Sequence, residues 1–139
     1  MTTRVHAVEG LMAETADGLR LLGSKCGGCG ATYFPRDSVC HNPDCDAPAM
    51  ADVNFGPTGK IWSCAIQNYQ PPAPVITEEP YQPFAMGMID LDDGLRVMGR
   101  IDIDDPMNAQ VGSDVELVLG KLGGDADGND VVSWMFRPI

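Results

Sequence analysis

The sequence Cys26-Gly-Gly-Cys29 is followed, after ten intervening residues, by Cys40-His-Asn-Pro-Asp-Cys45. Within each pair the cysteines lie a few residues apart, a spacing at which a turn presents two sulfurs to one metal ion. The glycines after Cys26 permit backbone conformations in which amide N–H groups face the sulfurs. The spacing therefore predicts one structural zinc ion, with Cys26, Cys29, Cys40 and Cys45 as its ligands.

The four cysteines also have interpretations other than a zinc site. Unrelated buried thiols are disfavoured, because four of the five cysteines fall within twenty residues in paired spacing. A rubredoxin-type iron site has the same ligands and stays open. His41 could replace Cys40, although the four cysteines complete the set without it. Because four protein ligands leave no open coordination position, we expect a structural site and not a catalytic one.

The rest of the cysteine region also favours a metal. Residues 26–50 are rich in Gly, Pro, Asp and Asn and have little regular pattern. Without a cross-link they would form a long structureless loop, which compact domains rarely tolerate. Five cysteines is an odd number, which in a reducing compartment argues against a disulfide framework.

Outward from the cysteines the chain is predicted to be mainly β. Residues 11–25 predict a hairpin with its turn at Ala16-Asp-Gly18. After the cysteines, residue patterning and turn signals predict five strands, over residues 60–69, 83–91, 95–103, 114–119 and 131–136. One helical turn or a loop is expected between the third and fourth strands. This order is typical of a five-stranded OB-fold barrel, while a sandwich or an open sheet stays open. The predicted division is an N-terminal hairpin or extension (1–19), a zinc ribbon (20–55) and an OB-fold (56–139).

Charge excludes some classes of partner. The net charge is −11, of which residues 61–139 carry −9, with thirteen acidic and four basic residues. Nucleic-acid binding requires Lys and Arg along the phosphates, so no nucleic-acid partner is expected, and an anionic membrane surface is disfavoured for the same reason. No stretch of eighteen apolar residues is present, and the first ten residues lack a signal-peptide core. We therefore expect a cytoplasmic protein with no membrane span.

Three further groups of residues have a structural and a functional interpretation. Cys64 lies in a predicted strand, and with only His6 and His41 as histidines it is interpreted as a small core residue and not a nucleophile. Met86, Met88 and Met98 are expected in the barrel core, with an adaptable binding face as the alternative. Tyr33 and Phe34 are expected to pack the ribbon on the barrel, and the role of Arg36 is left open.

The whole pattern resembles the family labelled "domain of unknown function 35". The matching segments are Leu21-Leu-Gly-Ser-Lys-Cys26-Gly-Gly-Cys29-Gly30, Tyr33-Phe-Pro-Arg36, Gly59-Lys-Ile-Trp62, Glu79-Pro-Tyr-Gln-Pro-Phe84, Asp93-Gly-Leu-Arg-Val97 and Phe136-Arg-Pro138. The resemblance covers roughly residues 10–139. It departs at Cys40 and Cys45, whose four-residue spacer is longer than the two residues usual in the family.

The resemblance implies a zinc-ribbon and OB-fold accessory subunit with no catalytic residues of its own. Its expected partner is a thiolase-fold catalytic subunit, in a heterotetramer that cleaves a carbon–carbon bond of an acyl-CoA. The reaction would be thiolysis of a 3-oxoacyl-CoA, as in aromatic-compound degradation, or retro-aldol cleavage of a 3-hydroxyacyl-CoA, as in steroid side-chain degradation. The resemblance further implies coenzyme A bound with the partner.

The residues add two expectations about contacts. A coenzyme A phosphate would seek basic groups, and Lys25, Arg36 and Lys60 are the candidates in the ribbon half. The proline-rich loop 70–83 is expected to contact the partner, because its stiffness lowers the entropic cost of binding. The rival interpretations are a stand-alone zinc-ribbon and OB module that binds nucleic acid or protein, and an autonomous enzyme using Cys64.

Overall fold

The computed structural model describes residues 3–139. Met1 and Thr2, which the predicted extension 1–19 includes, lie outside the described residues. The described chain is built almost entirely from β-strands, as predicted. In chain order these are β1 (Arg4–His6), β2 (Met12–Thr15), β3 (Gly18–Cys26), β4 (Thr32–Tyr33), β5 (Met50–Phe55), β6 (Thr58–Gln67), β7 (Phe84–Leu91), β8 (Arg96–Ile101), β9 (Asp114–Gly124) and β10 (Asp130–Pro138).

The first sheet carries the cysteine region. β2 and β3 form the expected antiparallel hairpin, whose turn ends at Gly18 with a φ of 105°. The second half of β3 pairs with β4 and with β5, which returns the chain after the second cysteine pair. The predicted boundary between residues 19 and 20 therefore falls inside one continuous strand, β3.

The second sheet closes into the predicted five-stranded barrel. β6 pairs with β7, β7 with β8, β8 with β10 and β10 with β9, and β9 returns to β6. The β8–β10 pair is parallel and the others are antiparallel. A short 3-10 helix, Pro106–Asn108, lies between β8 and β9, where a helical turn or a loop was expected. This closed five-strand order is that of an OB-fold.

One core joins the two sheets. Leu21 of β3 and Phe55 of β5 are fully buried in the same apolar cluster as Ile61, Ile89 and Phe136 of the barrel. The first sheet therefore does not need a separate core. It packs on the barrel and shares the barrel's apolar interior.

The prediction that Met86, Met88 and Met98 lie in the barrel core is wrong. Along β7 the inward positions are Ala85, Gly87, Ile89 and Leu91, so Met86 and Met88 lie on the outer face and are half-buried. Met98 is 56% exposed on the outer face of β8. The reason is that small residues point inward here, because side chains from neighbouring strands fill the space. A Cβ at Gly99 would lie 2.6 Å from the Phe136 ring, and one at Gly87 would lie 2.9 Å from Ile101.

Candidate metal centre

The first cysteine pair lies on a turn at the end of β3. Gly30 has a φ of 82°, and its N–H donates to the Cys26 carbonyl at 2.7 Å, while the Cys26 N–H donates to Ala31 at 2.9 Å. Gly28 faces the returning chain so closely that a Cβ would overlap the Ala47 carbonyl. The Gly-Gly spacer thus lets two segments of backbone meet beside the sulfurs.

The second pair lies on a wider turn, as its longer spacer requires. The Cys45 N–H donates to the Asn42 carbonyl at 3.1 Å, and the Asp44 N–H donates to the Asn42 side-chain oxygen at 3.0 Å. Asn42 therefore organises the additional residues. The departure from the usual two-residue spacer is accommodated within this turn, and the sulfurs of Cys40 and Cys45 still meet those of the first pair.

The four sulfurs form one cluster. All four Sγ atoms lie within 4.8 Å of one another. Cys26 and Cys45 are 3.8 Å apart, and Cys29 and Cys40 are 3.6 Å apart. A tetrahedral site with metal–sulfur bonds of about 2.3 Å separates its sulfurs by roughly 3.8 Å. The donor set and its spacing therefore fit a four-thiolate metal site.

The surroundings of the sulfurs differ in their effect on ionisation. The Ala49 N–H donates to the buried Cys26 sulfur at 3.5 Å, and this and other backbone amides lower the pKa of Cys26 to about 6. Burial raises the pKa of Cys45 to about 12. Neighbouring thiolates repel one another, so all four can be ionised together only with a compensating cation.

Tyr33 and His41 lie beside the second cysteine turn. The Tyr33 hydroxyl accepts from the His41 N–H at 2.8 Å and lies 3.5 Å from the Cys40 sulfur. The His41 ring is 2.6 Å from the Asp37 carboxylate, so Cys40, and not His41, contributes to the cluster. Tyr33 thus supports the cysteine turn, whereas Phe34 packs against the barrel core, as expected.

Two of the three basic candidates are paired with carboxylates, at different places in the fold. Arg36 lies 3.7 Å from Asp52 on β5, within the first sheet. Lys60 pairs with Asp114 across the barrel strands β6 and β9. Lys25 is exposed on β3, and within residues 3–139 it takes part in no ion pair.

Two family descriptions match this architecture. The family described as "ChsH2, rubredoxin-like zinc ribbon domain" matches residues 16–51, and "ChsH2, C-terminal OB-fold domain" matches residues 52–120. A DUF35 domain-containing scaffold protein of Pyrococcus furiosus is 30% identical over 121 residues, covering 86% of this chain and 84% of that protein. This chain belongs to the DUF35 family. The ribbon and barrel derived above are thus the two domains of that family.

Two further similar proteins extend the comparison. The benzoylsuccinyl-CoA thiolase subunit BbsA of Thauera aromatica is 30% identical over 131 residues, covering 93% of this chain and 85% of that subunit. A solved structure titled "Ltp2-ChsH2(DUF35) aldolase" aligns with a TM-score of 0.61 and 23% identity, over 86% of this chain and 84% of that one. The structural match supports the shared fold. Within the part of the DUF35 chain described, no helix is long and apolar enough to cross a membrane.

One surface of this DUF35 chain was not identified as a groove from the sequence. Phe84, Arg100 and Trp134 lie with Met86 and Met98 along an apolar groove on the outside of the barrel. The alternation of Arg96, Met98 and Arg100 in β8 was the available signal, because it places all three on one face of the strand. The signal was obscured because glycines, Gly87 and Gly99, face the core at positions where patterning expects a large apolar residue.

Proposed function

We propose that this chain is a non-catalytic, zinc-binding accessory subunit of a thiolase-like complex that cleaves a carbon–carbon bond of an acyl-CoA. The observation that carries the proposal is the 30% identity to a thiolase subunit over 93% of this chain. The match extends through ribbon and barrel, so it concerns the whole arrangement and not one motif. The scaffold proteins among the relatives support the accessory role.

The metal in this proposal is one zinc ion held by Cys26, Cys29, Cys40 and Cys45. Four thiolates complete its coordination and leave no position for a substrate, so its contribution is to the fold. Within residues 26–49 only Cys26 is buried, so this segment has little apolar interior of its own. The cluster therefore cross-links a segment that hydrophobic packing alone would not order. Metal analysis of the purified protein distinguishes zinc from iron.

The contacts of Cys64 support a non-catalytic role. Its sulfur lies 3.8 Å from the Ala109 carbonyl and packs at the edge of the core. A catalytic cysteine needs a neighbouring base or positive charge to form its thiolate. The two histidines lie with Glu9 and with Asp37 instead, so neither serves Cys64 in the described structure.

The catalytic groups in this proposal belong to a thiolase-fold partner. The reaction is thiolysis of a 3-oxoacyl-CoA or retro-aldol cleavage of a 3-hydroxyacyl-CoA, in the degradation of an aromatic compound or a steroid side chain. We propose a cytoplasmic heterotetramer of this chain with that partner. The proline-rich loop 70–83 contributes to the contact, because its exposed Val75 offers apolar surface on a stiff segment.

Coenzyme A is proposed to bind with the partner, near the ribbon. Of the three candidates for its phosphates, Lys25 is exposed and in no described ion pair, whereas Arg36 and Lys60 each have a carboxylate partner. Lys25 can therefore contact a phosphate without giving up an existing contact. The acidic barrel disfavours the rival proposal of a nucleic-acid-binding module.

The test is to isolate the tagged full-length chain from its host and to identify bound proteins by mass spectrometry. A thiolase-fold protein should co-purify in a fixed ratio. That protein, expressed with and without this chain, is then assayed for cleavage of 3-oxoacyl-CoA and 3-hydroxyacyl-CoA. We expect cleavage by the complex and none by this chain alone.

Two outcomes would overturn the proposal. One is that the chain alone cleaves an acyl-CoA. The other is that it associates with no thiolase-fold protein from its host, including those expressed individually with it. The identity of the cleaved substrate decides between thiolysis and retro-aldol chemistry.

A further inference from the structure

A half-open apolar groove of about 320 Å³ runs along the outside of the barrel. Its main side chains come from the proline-rich loop, β7, β8 and β10, and are Ile76, Phe84, Met86, Met98, Arg100 and Trp134. A second open groove of about 480 Å³ begins on the other side of Met98 and Trp134 and reaches the ribbon at Tyr33, Phe34 and Pro35. The two grooves share Met98 and Trp134 in their linings, and together they are called the strip below.

The groove occupies the face on which OB-folds bind their ligands. That face is formed by the second and third barrel strands, here β7 and β8, and by the loop that joins the first and second. In this chain the loop is the proline-rich segment, whose residues Val75, Ile76 and Thr77 form one wall. A long, flexible side chain such as Met98, exposed in the middle of the strip, adapts to the surface that covers it.

Arg100 is the cation of the groove. Its guanidinium lies 4.3 Å from the centre of the Phe84 ring. The other barrel cations, Lys60, Arg96, Lys121 and Arg137, each pair with a carboxylate, whereas Arg100 takes part in no ion pair of the described residues. Glu78 and Asp102 line a neighbouring depression with Arg100, but neither pairs with it. The groove thus combines apolar walls with one guanidinium that is free to donate hydrogen bonds to an external carboxylate.

We propose that this groove seats a segment of the thiolase-fold partner, with apolar side chains in the strip and a carboxylate on Arg100. The inference rests on the function proposed above and names the surface that function uses. The charge requirement is local: the barrel as a whole is acidic, so the partner's carboxylate is favoured only beside Arg100. When the partner covers the groove, it removes water from the Arg100 guanidinium beside the Phe84 ring. A carboxylate that accepts hydrogen bonds from this guanidinium then stabilises the complex.

The shape favours a protein segment over other occupants. A small-molecule site encloses most of its ligand, whereas both grooves here are open along their length. Single-stranded nucleic acid also stacks on aromatic side chains, but it needs a basic channel along its phosphates. Residues 61–139 carry −9, and most barrel cations are already paired.

The experiment measures the affinity of the full chain for the thiolase-fold protein that co-purifies with it, by calorimetry on separately purified subunits. Met98→Glu places a charge in the strip, and Arg100→Glu reverses the charge of a side chain that lines the first groove. Met107→Glu and Arg4→Glu are the matched controls, since Met107 is 75% exposed, Arg4 is exposed, and neither residue lines either of these two grooves. Met98→Leu and Arg100→Lys are the conservative variants. Zinc content and circular dichroism confirm that each variant is folded.

We expect Met98→Glu and Arg100→Glu to weaken binding by about 30-fold or more, the level of an interface hot spot. The two controls should bind like the wild type, and Met98→Leu should retain most of the affinity. Equal binding by all variants would overturn this inference and leave the proposed function standing. A wild-type chain that binds no thiolase-fold protein would overturn both. Binding of a labelled oligothymidine that Met98→Glu abolishes would also overturn it, in favour of nucleic acid.

Discussion

The ring of Phe34 stands edge-on to the indole of Trp134, with ring centroids 5.3 Å apart and planes at 89°. Phe34 follows β4 in the cysteine region, and Trp134 lies in β10 of the barrel. The indole N–H donates to the Met98 carbonyl at 3.0 Å, which holds the ring in place. This pair therefore connects the ribbon to the barrel between the two cysteine turns, at the junction crossed by the apolar strip.

Replacing Phe34 with Ala should lower the free energy of unfolding by about 2 kcal/mol. The change removes a half-buried aromatic ring and its edge-to-face contact, a smaller loss than for a fully buried Phe. Urea denaturation followed by circular dichroism measures the effect. Val39→Ala is the control, because Val39 lies in the same segment and is 56% exposed. Equal stability of Phe34→Ala and the control would mean that the ribbon does not depend on this contact.

Removing the metal should unfold the cysteine region and leave the barrel folded. Residues 27–49 contain no buried residue, whereas the barrel keeps its own core without the cluster. After treatment with a chelator, hydrogen exchange should become fast in residues 27–49 and stay slow in β6 to β10. Cys45→Ser should reproduce the loss, and Cys64→Ala should retain the metal. Protection in residues 27–49 that survives metal removal would contradict this account.

The two glycines between Cys26 and Cys29 should respond differently to substitution. A Cβ at Gly28 would overlap the Ala47 carbonyl, so Gly28→Ala must displace the backbone that returns past the first turn. A Cβ at Gly27 would lie 3.5 Å from the Ala49 carbonyl, an ordinary contact. We expect Gly28→Ala to weaken zinc retention against a competing chelator by about tenfold or more, the equivalent of 1.4 kcal/mol. Gly27→Ala should behave like the wild type, and equal retention by both would refute the steric argument.

Much of the architecture was predictable because the signals are local. The paired cysteine spacing predicts a cluster that the structure forms, and residue patterning with turn signals predicts the five strands of the barrel. β1, β4 and β5 were not predicted. β1 has three residues and is stabilised by its parallel pairing with β10, and β5 is positioned by pairing with β3 after the cysteine turns. Such pairings join distant segments and leave little pattern in either one.

The orientation of β7 and β8 shows a second limit. Apolar patterning assigns a methionine to the interior and a glycine to neither side, yet here Gly87 and Gly99 face inward. Their space is taken by Ile101 and Phe136 from other strands, which only the assembled barrel brings together. The alternation of Arg96, Met98 and Arg100 in β8 carried a signal for the outer face, but the inward glycines obscured it.

A last relationship on the same outer face concerns Asp90 and Arg96. The Arg96 guanidinium donates to both Asp90 carboxylate oxygens, at 2.6 and 3.0 Å, and lies 3.8 Å from the centre of the Trp62 ring. The hydrogen bonds from Arg96 lower the pKa of Asp90 below its usual range. A carboxyl group with a lowered folded pKa stabilises the fold above its unfolded pKa of about 3.9 and loses that contribution as pH falls through the folded pKa.

We therefore expect Asp90→Asn to be less stable than the wild type at pH 7, and the difference to shrink as pH falls below about 4. The difference should be small and should decrease in 1 M salt, because both side chains are nearly half exposed and screened by solvent. Urea denaturation at a series of pH values measures it. Asp17→Asn, at an exposed residue outside the described ion pairs, is the control for the effect of an Asp-to-Asn change on stability at pH 7. A difference for Asp90→Asn that stays constant from pH 7 to pH 3 would mean that the contribution of Asp90 does not depend on its charge.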